Sequence, residues 1–474
     1  MKYLLTIATL LLSIQIRAQG LSFAMAREEM LANNLEIAAA RQAVEIAQLE
    51  LRATRGLRLP NLDFVAGYTL MQRDVDIDLS GSKGALSDIA QNVINKGISE
   101  GIITPNVANL ISEGLSPLLA ADWSYTLQKR STILGALTLT QPIYAGGKIN
   151  AAIDAAEIAS HKAEYDLQAV INNKLSSLVE YYYGVVLAEE AIAVRESVVK
   201  GIAQHLEDTR AMEQEGLIAH SEVLYVEYCL ADAEQELAAA LNHSTLARKA
   251  LSQVLNRECS EKLTDRIFVV NNIYDIEYYI ENTINLNPIL LDARSNIALS
   301  EQGVKLARSA LLPEVAALGG AIVASHNLTT MIPRWSVGIG LRLSLFDGLA
   351  KERRYSAAQR ANNNLFTIVE DITNKAMLLT EQEYYNTINS LKAVGMIEST
   401  IKFAESYLKA KNEGFKEGIT PSSELIDAEL ELQAVRLKQL ASAYDFCKYL
   451  ARLLEVSELS DTLDEYIARA IFIQ

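Results

Sequence analysis

Apolar residues recur at helical spacing over very long stretches of this chain. In one of them Leu167, Val170, Ile171, Leu175, Leu178, Val179, Tyr182, Val185 and Val186 share a face. No proline occurs between Pro142 and Pro288 or between Pro333 and Pro421, and from Lys148 to Glu215 nothing stronger than Gly184 and Gly201 interrupts the pattern. The spacing predicts a helix of roughly 100 Å at about 1.5 Å per residue. Such a helix is stable only if its apolar stripe is covered along its length, so it must pair as a coiled coil or helical barrel. Ser221 to about Val254 reads as the antiparallel return. Leu349 to Glu417, followed by Ser422 to about Leu454, repeats the arrangement.

The two copies turn round on the same phrase. Glu215-Gly216-Leu217-Ile218-Ala219-His220-Ser221-Glu222 and Glu417-Gly418-Ile419-Thr420-Pro421-Ser422-Ser423-Glu424 lie 202 residues apart, as do Gly146 and Gly348. A shorter repeat sets Asn34–Pro60 over Asn287–Pro313 at an offset of 253, and the difference places 51 residues of extra sequence around Val75 to Ala121. Duplication on this scale points to one extended body with internal pseudo-symmetry.

Between each short helix and each long one the period changes to two. Trp335, Val337, Ile339, Leu341, Leu343 and Leu345 alternate with Arg334, Ser336, Gly338, Gly340, Arg342 and Ser344. A second run, Trp123 to Leu139, alternates similarly but has Lys129 on its apolar side. A third, Leu62 to Leu70, is clean, and a fourth, Glu314 to Ala324, is diluted by Gly319 and Gly320. Strands of this kind suit a transmembrane β-barrel, although any one alone fits a half-buried soluble sheet. Four strands cannot close a barrel, so if they span a bilayer several chains must share one.

Composition narrows the class. Leu4 to Ile16, preceded by Lys2 and followed by Arg17 and Ala18, reads as a signal peptide cut after Ala18. Losing Lys2 and Arg17 takes the net charge from −16 to −18, which argues against nucleic acid as a partner. Cys229, Cys259 and Cys447 have neither metal spacing nor a disulfide pattern, and the five histidines form no metal-binding or catalytic arrangement. No enzyme, cofactor or metal site is read here. The Tyr182-Tyr183 and Tyr384-Tyr385 pairs, mid-helix, read as packing.

The order of helix, strand pair and very long hairpin, all repeated, resembles the TolC family of outer-membrane efflux proteins. The resemblance rests on the helix-to-strand corners Arg58-Leu59-Pro60-Asn61 and Leu311-Leu312-Pro313-Glu314 and on the strand-to-helix corners Gln141-Pro142-Ile143-Tyr144-Ala145-Gly146-Gly147-Lys148 and Leu345-Phe346-Asp347-Gly348. The last corner departs from the family pattern, with Leu349 for a second glycine and Ser344 for proline. The resemblance implies a mainly α fold with a transmembrane β-barrel. Long antiparallel helical hairpins would form an α-barrel, and four β-strands per chain would complete a 12-stranded barrel in a homotrimer. The corner residues are Pro60, Pro142, Gly146, Gly147, Pro313 and Gly348.

The implied function is a passive outer-membrane exit duct of a tripartite efflux pump, with its helical barrel in the periplasm. Its implied partners are a periplasmic adaptor (membrane fusion) protein, an inner-membrane transporter of RND, ABC or MFS type, and outer-membrane lipid. A type I protein secretion duct is the alternative of the same mould, and a periplasmic coiled-coil structural protein the alternative of another class. The resemblance puts adaptor contact at Gly216, Leu217, Ala219, Ser221, Glu222, Gly418, Ile419, Thr420, Ser422 and Ser423. It puts a channel aperture at Glu424 and Asp427, with Glu222 the one carboxylate at the equivalent positions of the first copy. The family's basic latch residue falls at Thr420, so any latch is built differently. As turn chemistry, Gly216 and Gly418 read as residues just past helix ends and Ser221, Ser422 or Ser423 as helix N-caps.

The expected segments are a signal peptide (1–18), a first short helix region (19–59), a strand pair with an extracellular loop bearing a short helix (60–142, loop 75–121) and a long hairpin (143–260). A linker with the second short helix (261–312), a second strand pair (313–347), a second hairpin (348–457) and a C-terminal tail (458–474) complete the chain.

Overall fold

The computed structural model describes residues 20–329 and 332–473. The expected signal peptide lies outside them. The chain divides into two compact units. One comprises the described residues up to Arg52 with Ile153–Val304 and Ser356 onward, and the other Ala53–Ala152 with Lys305–Tyr355.

Helices α1 (Phe23–Asn33) and α2 (Leu35–Arg55) precede strand β1 (Asn61–Leu70). The insertion follows as β2 (Val75–Asp78), α3 (Ser80–Ser99), α4 (Pro105–Ala120) and β3 (Ser124–Gln128). Then come β4 (Ser131–Ala145), α5 (Lys148–Gln214) and α6 (His220–Leu255), and after β5 (Phe268–Val269) the second copy. It consists of α7 (Ile276–Leu286), α8 (Pro288–Ser309), β6 (Glu314–His326), β7 (Trp335–Arg342), α9 (Ala350–Lys416) and α10 (Ser422–Val456). The chain ends with α11 (Leu463–Ala468) and β8 (Ile471–Phe472). Helices α5 and α9 are 67 residues each and start 202 residues apart, so the sequence offset survives as equal helix length. Among the described residues no helix is long and apolar enough to cross a membrane.

In the sheet unit the four main strands run in the order β1-β4-β6-β7, each antiparallel to its neighbour. Register carries the sequence alternation across all four. Leu62, Leu139, Gly319 and Val337 form one row and Phe64, Leu137, Ala321 and Trp335 the next of that parity. The intervening row is Asp63, Thr138, Gly320 and Ser336. One face is therefore apolar and the other polar and small, because side chains on a strand alternate in direction. Leu62, Phe64, Trp335 and Val337 are all more than 60% exposed. Strands β1 and β7 each keep one unpaired edge.

Two expectations are corrected here. The run from Trp123 to Leu139 is two strands, because the chain breaks at Lys129-Arg130 and β3 pairs back with β2 instead. Asp74 Oδ1 accepts the Arg130 amide at 2.6 Å and Arg130 O accepts the Met71 amide at 2.7 Å, closing the junction. Lys129 did not fit the alternation because it belongs to the break. The insertion also carries two helices, not one.

The helical unit is centred on aromatic packing of Phe23, Tyr182, Tyr183, Phe268 and Phe446. Burial of such rings contributes about 1.5–3 kcal/mol each. Tyr182 Oη donates to Leu21 O at 2.7 Å, and β8 pairs with β5 beside this cluster. Of the second tyrosine pair, Tyr384 meets the Tyr279 ring whereas Tyr385 is 56% exposed. The short repeat braces the unit through asparagine. Asn34 Oδ1 accepts the Glu36 and Ile37 amides while its Nδ2 donates to Val254 O; Asn287 treats Ile289, Leu290 and Val456 identically. Each asparagine thus caps a short helix and ties it to the end of a returning long one.

Candidate functional site at the hairpin tips

Both long hairpins reverse through the same backbone device. The Gly216 amide donates to Glu213 O (2.8 Å) and the Leu217 amide to Met212 O (2.9 Å). In the second copy Gly418 donates to Phe415 O (3.0 Å) and Ile419 to Gly414 O (2.9 Å). These paired bonds define a Schellman motif, and the glycines sit at φ +71° and +73°, where a Cβ is disfavoured. The expected serine N-caps are not formed. α6 starts at His220 after Ala219 and α10 at Ser422 after Pro421, so Ser221, Ser422 and Ser423 already lie inside their helices. Instead the Ser422 hydroxyl is buried and unpartnered.

Leu217, Ala219, Glu222, Gly418, Ile419, Thr420 and Ser422 line a cavity of about 660 Å³ between the tips. Leu217 and Ile419 are 72% and 76% exposed. Thr420 folds back over Gly414, where a Cβ would stand 2.4 Å from its Oγ1.

Behind the tips three positions are duplicated, and two of them have diverged. In the second copy they are Tyr407, Lys411 and Glu424. Lys411 Nζ donates to Glu424 Oε2 at 2.5 Å and lies 5.3 Å from the centre of the Tyr407 ring. The hydrogen bond to Glu424 raises the Lys411 pKa. In the first copy, 202 residues earlier, the same positions hold His205, Thr209 and Glu222. Thr209 replaces the lysine there, and the adjacent Arg210 supplies a cation to the first tip, its Nη2 donating to Glu227 Oε1 at 2.6 Å. Thr209 is buried with its hydroxyl on His205 O, and Glu222 Oε2 and His205 Nε2 are both buried without partners. The His205 ring packs edge-on to Phe415 at 4.6 Å, and burial lowers its pKa, opposed by Asp208 and Glu222.

Asp427 is exposed and lies near Tyr225, its counterpart in the first copy. The Tyr225 phenol is pushed up to about 12 by its hydrogen bond to Cys229, by burial and by Asp427. Glu429, one turn from Leu425, has its carboxylate against Gly201, and burial raises its pKa. Sequence reasoning missed Lys411, Tyr407 and His205. A cross-hairpin pair 13 residues apart has no sequence period, but alignment of the copies at 202 would have set Lys411 over Thr209. Among the described residues no group of three His, Cys, Asp or Glu side chains could hold a metal.

The corner residues all belong to the sheet unit. Leu59 is extended before Pro60, as its position before proline requires. Gln141 Nε2 donates to Arg58 O and Pro142 O, and Arg58 Nη2 to Asn150 Oδ1. Gly146, at φ +60°, abuts the chain just before Pro313, where a Cβ would stand 2.8 Å from Ser309 O. Gly147, Gly348 and Leu349 also have positive φ, at +86°, +75° and +64°.

Residues 26–257 and 279–456 match the family described as outer membrane efflux protein. The chain is 27% identical over 262 residues to protein CyaE of Bordetella pertussis, a match covering 51% of this chain and 55% of that one. It therefore spans about half the length of CyaE. Over 349 residues it is 21% identical to the cobalt-zinc-cadmium resistance protein CzcC of Cupriavidus metallidurans, covering 72% of this chain and 78% of that one. Among solved structures it is similar to the open-state MtrE outer membrane channel of Neisseria gonorrhoeae. The TM-score is 0.71 at 14% identity, over 92% of this chain and 89% of that one, a likeness of fold.

Proposed function

Because the chain belongs to the outer membrane efflux protein family, we propose that three copies form a passive exit duct of a tripartite efflux pump. The duct takes substrates handed over by an inner-membrane transporter through a periplasmic adaptor and releases them outside. The observation that carries this reading is the four-stranded sheet with an exposed apolar face and two unpaired edges. Open edges are not tolerated in lipid, and joining β7 of one copy to β1 of the next closes 12 strands without any. The helical unit supports the same assembly. Leu378, Tyr385, Met396, Phe403 and Tyr407 form an exposed apolar stripe along α9, which needs a neighbouring helix to cover it.

The tips are the periplasmic working end in this reading. The cavity and the exposed Leu217 and Ile419 offer the adaptor its contact, and Glu222, Glu424 and Asp427 surround the aperture. Three copies bring Glu424 and Asp427 into two stacked carboxylate rings, which favour cations. Lys411 neutralises the Glu424 ring at rest. Fractionation of cells expressing the full chain tests the proposal: it expects the protein in the outer membrane and a conducting trimer in planar bilayers. Recovery from the soluble periplasmic fraction defeats it.

A further inference from the structure

The insertion between β1 and β4 is a built element with an uncovered face. α3 and α4 form an antiparallel hairpin, since Lys83 Nζ near the start of α3 donates to Ala121 O just past α4 at 3.0 Å. Trp123 Nε1 donates to Leu118 O at 3.0 Å and anchors α4 to the β2–β3 ribbon. Between the helices Ile94, Gly97 and Ala108 are buried, and the bare Gly97 admits the Ile103 side chain.

Much of the remaining apolar surface is open. At about 100° per residue, Val107, Leu110, Ile111, Gly114, Pro117 and Leu118 share a second face of α4. It adjoins the buried face, while Asn106, Asn109, Ser112, Glu113 and Ser116 take the rest of the circle. Leu110 is 74% exposed and Leu118 52%. On α3, Ile89 and Val93 are about 60% exposed and flank its buried stripe on the same rotational side. In an antiparallel pair that is the same side of the hairpin, so the two exposed sectors join into one apolar face. Such a face on a soluble surface marks an interaction site.

Its place in the fold names the occupant. The insertion begins at Val75, five residues after the end of β1, an edge strand of the sheet, and the proposed trimer has its seam at that edge. The threefold axis brings three copies of the hairpin to the same mouth of the barrel. Residues 80–120 carry Lys83 and Lys96 against Asp88, Glu100 and Glu113, nearly neutral in a chain of net charge −16, so like copies do not repel there. We propose that the α3–α4 hairpins of three copies pack these apolar faces against one another, α4 innermost, as a six-helix cap over the outer mouth. The proposal rests on the trimeric duct reading.

Cysteine crosslinking of the full chain in intact cells tests it, in a Cys229→Ser background because Cys259 and Cys447 are buried. A short bismaleimide should convert most Leu110→Cys protein into a covalent dimer and leave Asn109→Cys, on the polar face, as single chains. Light scattering of the detergent-extracted variants should give the mass of a trimer. A trimer whose Leu110→Cys protein stays single-chain overturns the cap and leaves the duct standing. In that event labelling of the introduced thiol by a soluble monomaleimide indicates an open face, and protection from it a lipid surface or another protein. A monomeric mass overturns both the cap and the duct.

Discussion

Leu349 holds a left-handed backbone, φ +64°, at the position where the first copy has Gly147. A residue with a Cβ costs about 1–2 kcal/mol in that region. The strain is therefore confined to the second of the two strand-to-helix corners, and it follows directly from the departure from the glycine pair visible in the sequence. Leu349→Gly should raise the thermal midpoint of the assembled protein, by about 1 kcal/mol of stability once the extra freedom of the unfolded chain is subtracted. Gly146→Ala should act the other way and more strongly, by about 2 kcal/mol or more, since it adds a contact on Ser309 O to the unfavourable φ. Heat stability of the trimer on gels reads both, and an unchanged midpoint for Gly146→Ala contradicts the corner geometry.

At the scale of the hairpin, the duplicated positions have become two different devices. Each tip has a charge pair that responds to salt, Arg210–Glu227 in the first and Lys411–Glu424 in the second; the first also holds a buried imidazole nitrogen and a carboxylate oxygen, neither with a partner. His205 is lowered by burial, so the unfolded first tip takes up a proton from about pH 6.5 while the folded one resists it to lower pH. Stability from this group is complete above about pH 6.5 and is lost as pH falls through the lowered value. Glu429, raised by burial, has the opposite sense and loses its contribution as pH rises through its raised value. Proteolysis of the first tip should therefore accelerate as pH falls from about 7 to 5, and His205→Gln should flatten that dependence. An identical pH profile in the variant excludes the imidazole. Little of this was legible beforehand. Helices, turns and corners follow from period, proline and glycine, which act locally, and their bounds came within a few residues. The strand break at Lys129, the two-helix insertion and the Lys411–Glu424 pair depend on which backbone stretches meet, and no local pattern encodes that. The missing serine caps show the limit from the other side, because a shift of one or two residues in where a helix begins moves a hydroxyl from cap to interior.

For the whole assembly, the resting aperture in the proposed duct contains one neutralised carboxylate ring and one free one. Lys411→Met should unmask Glu424 and increase cation selectivity and divalent block in planar bilayers, and adding Glu424→Gln should reverse the change. If Lys411→Met leaves the reversal potential in a salt gradient unaltered, Glu424 does not face the pore. The equal lengths of α5 and α9 bear on how such a molecule can change over time. Removing one residue between the aromatic core and a tip withdraws that tip by about 1.5 Å and turns it by about 100°. That would carry His205 off Phe415, which belong to different hairpins, in a single step. Loss or gain of residues within either long helix is thus barred unless its twin changes in step, whereas residues 71–130 can grow freely. The one large difference in length between the two halves lies there.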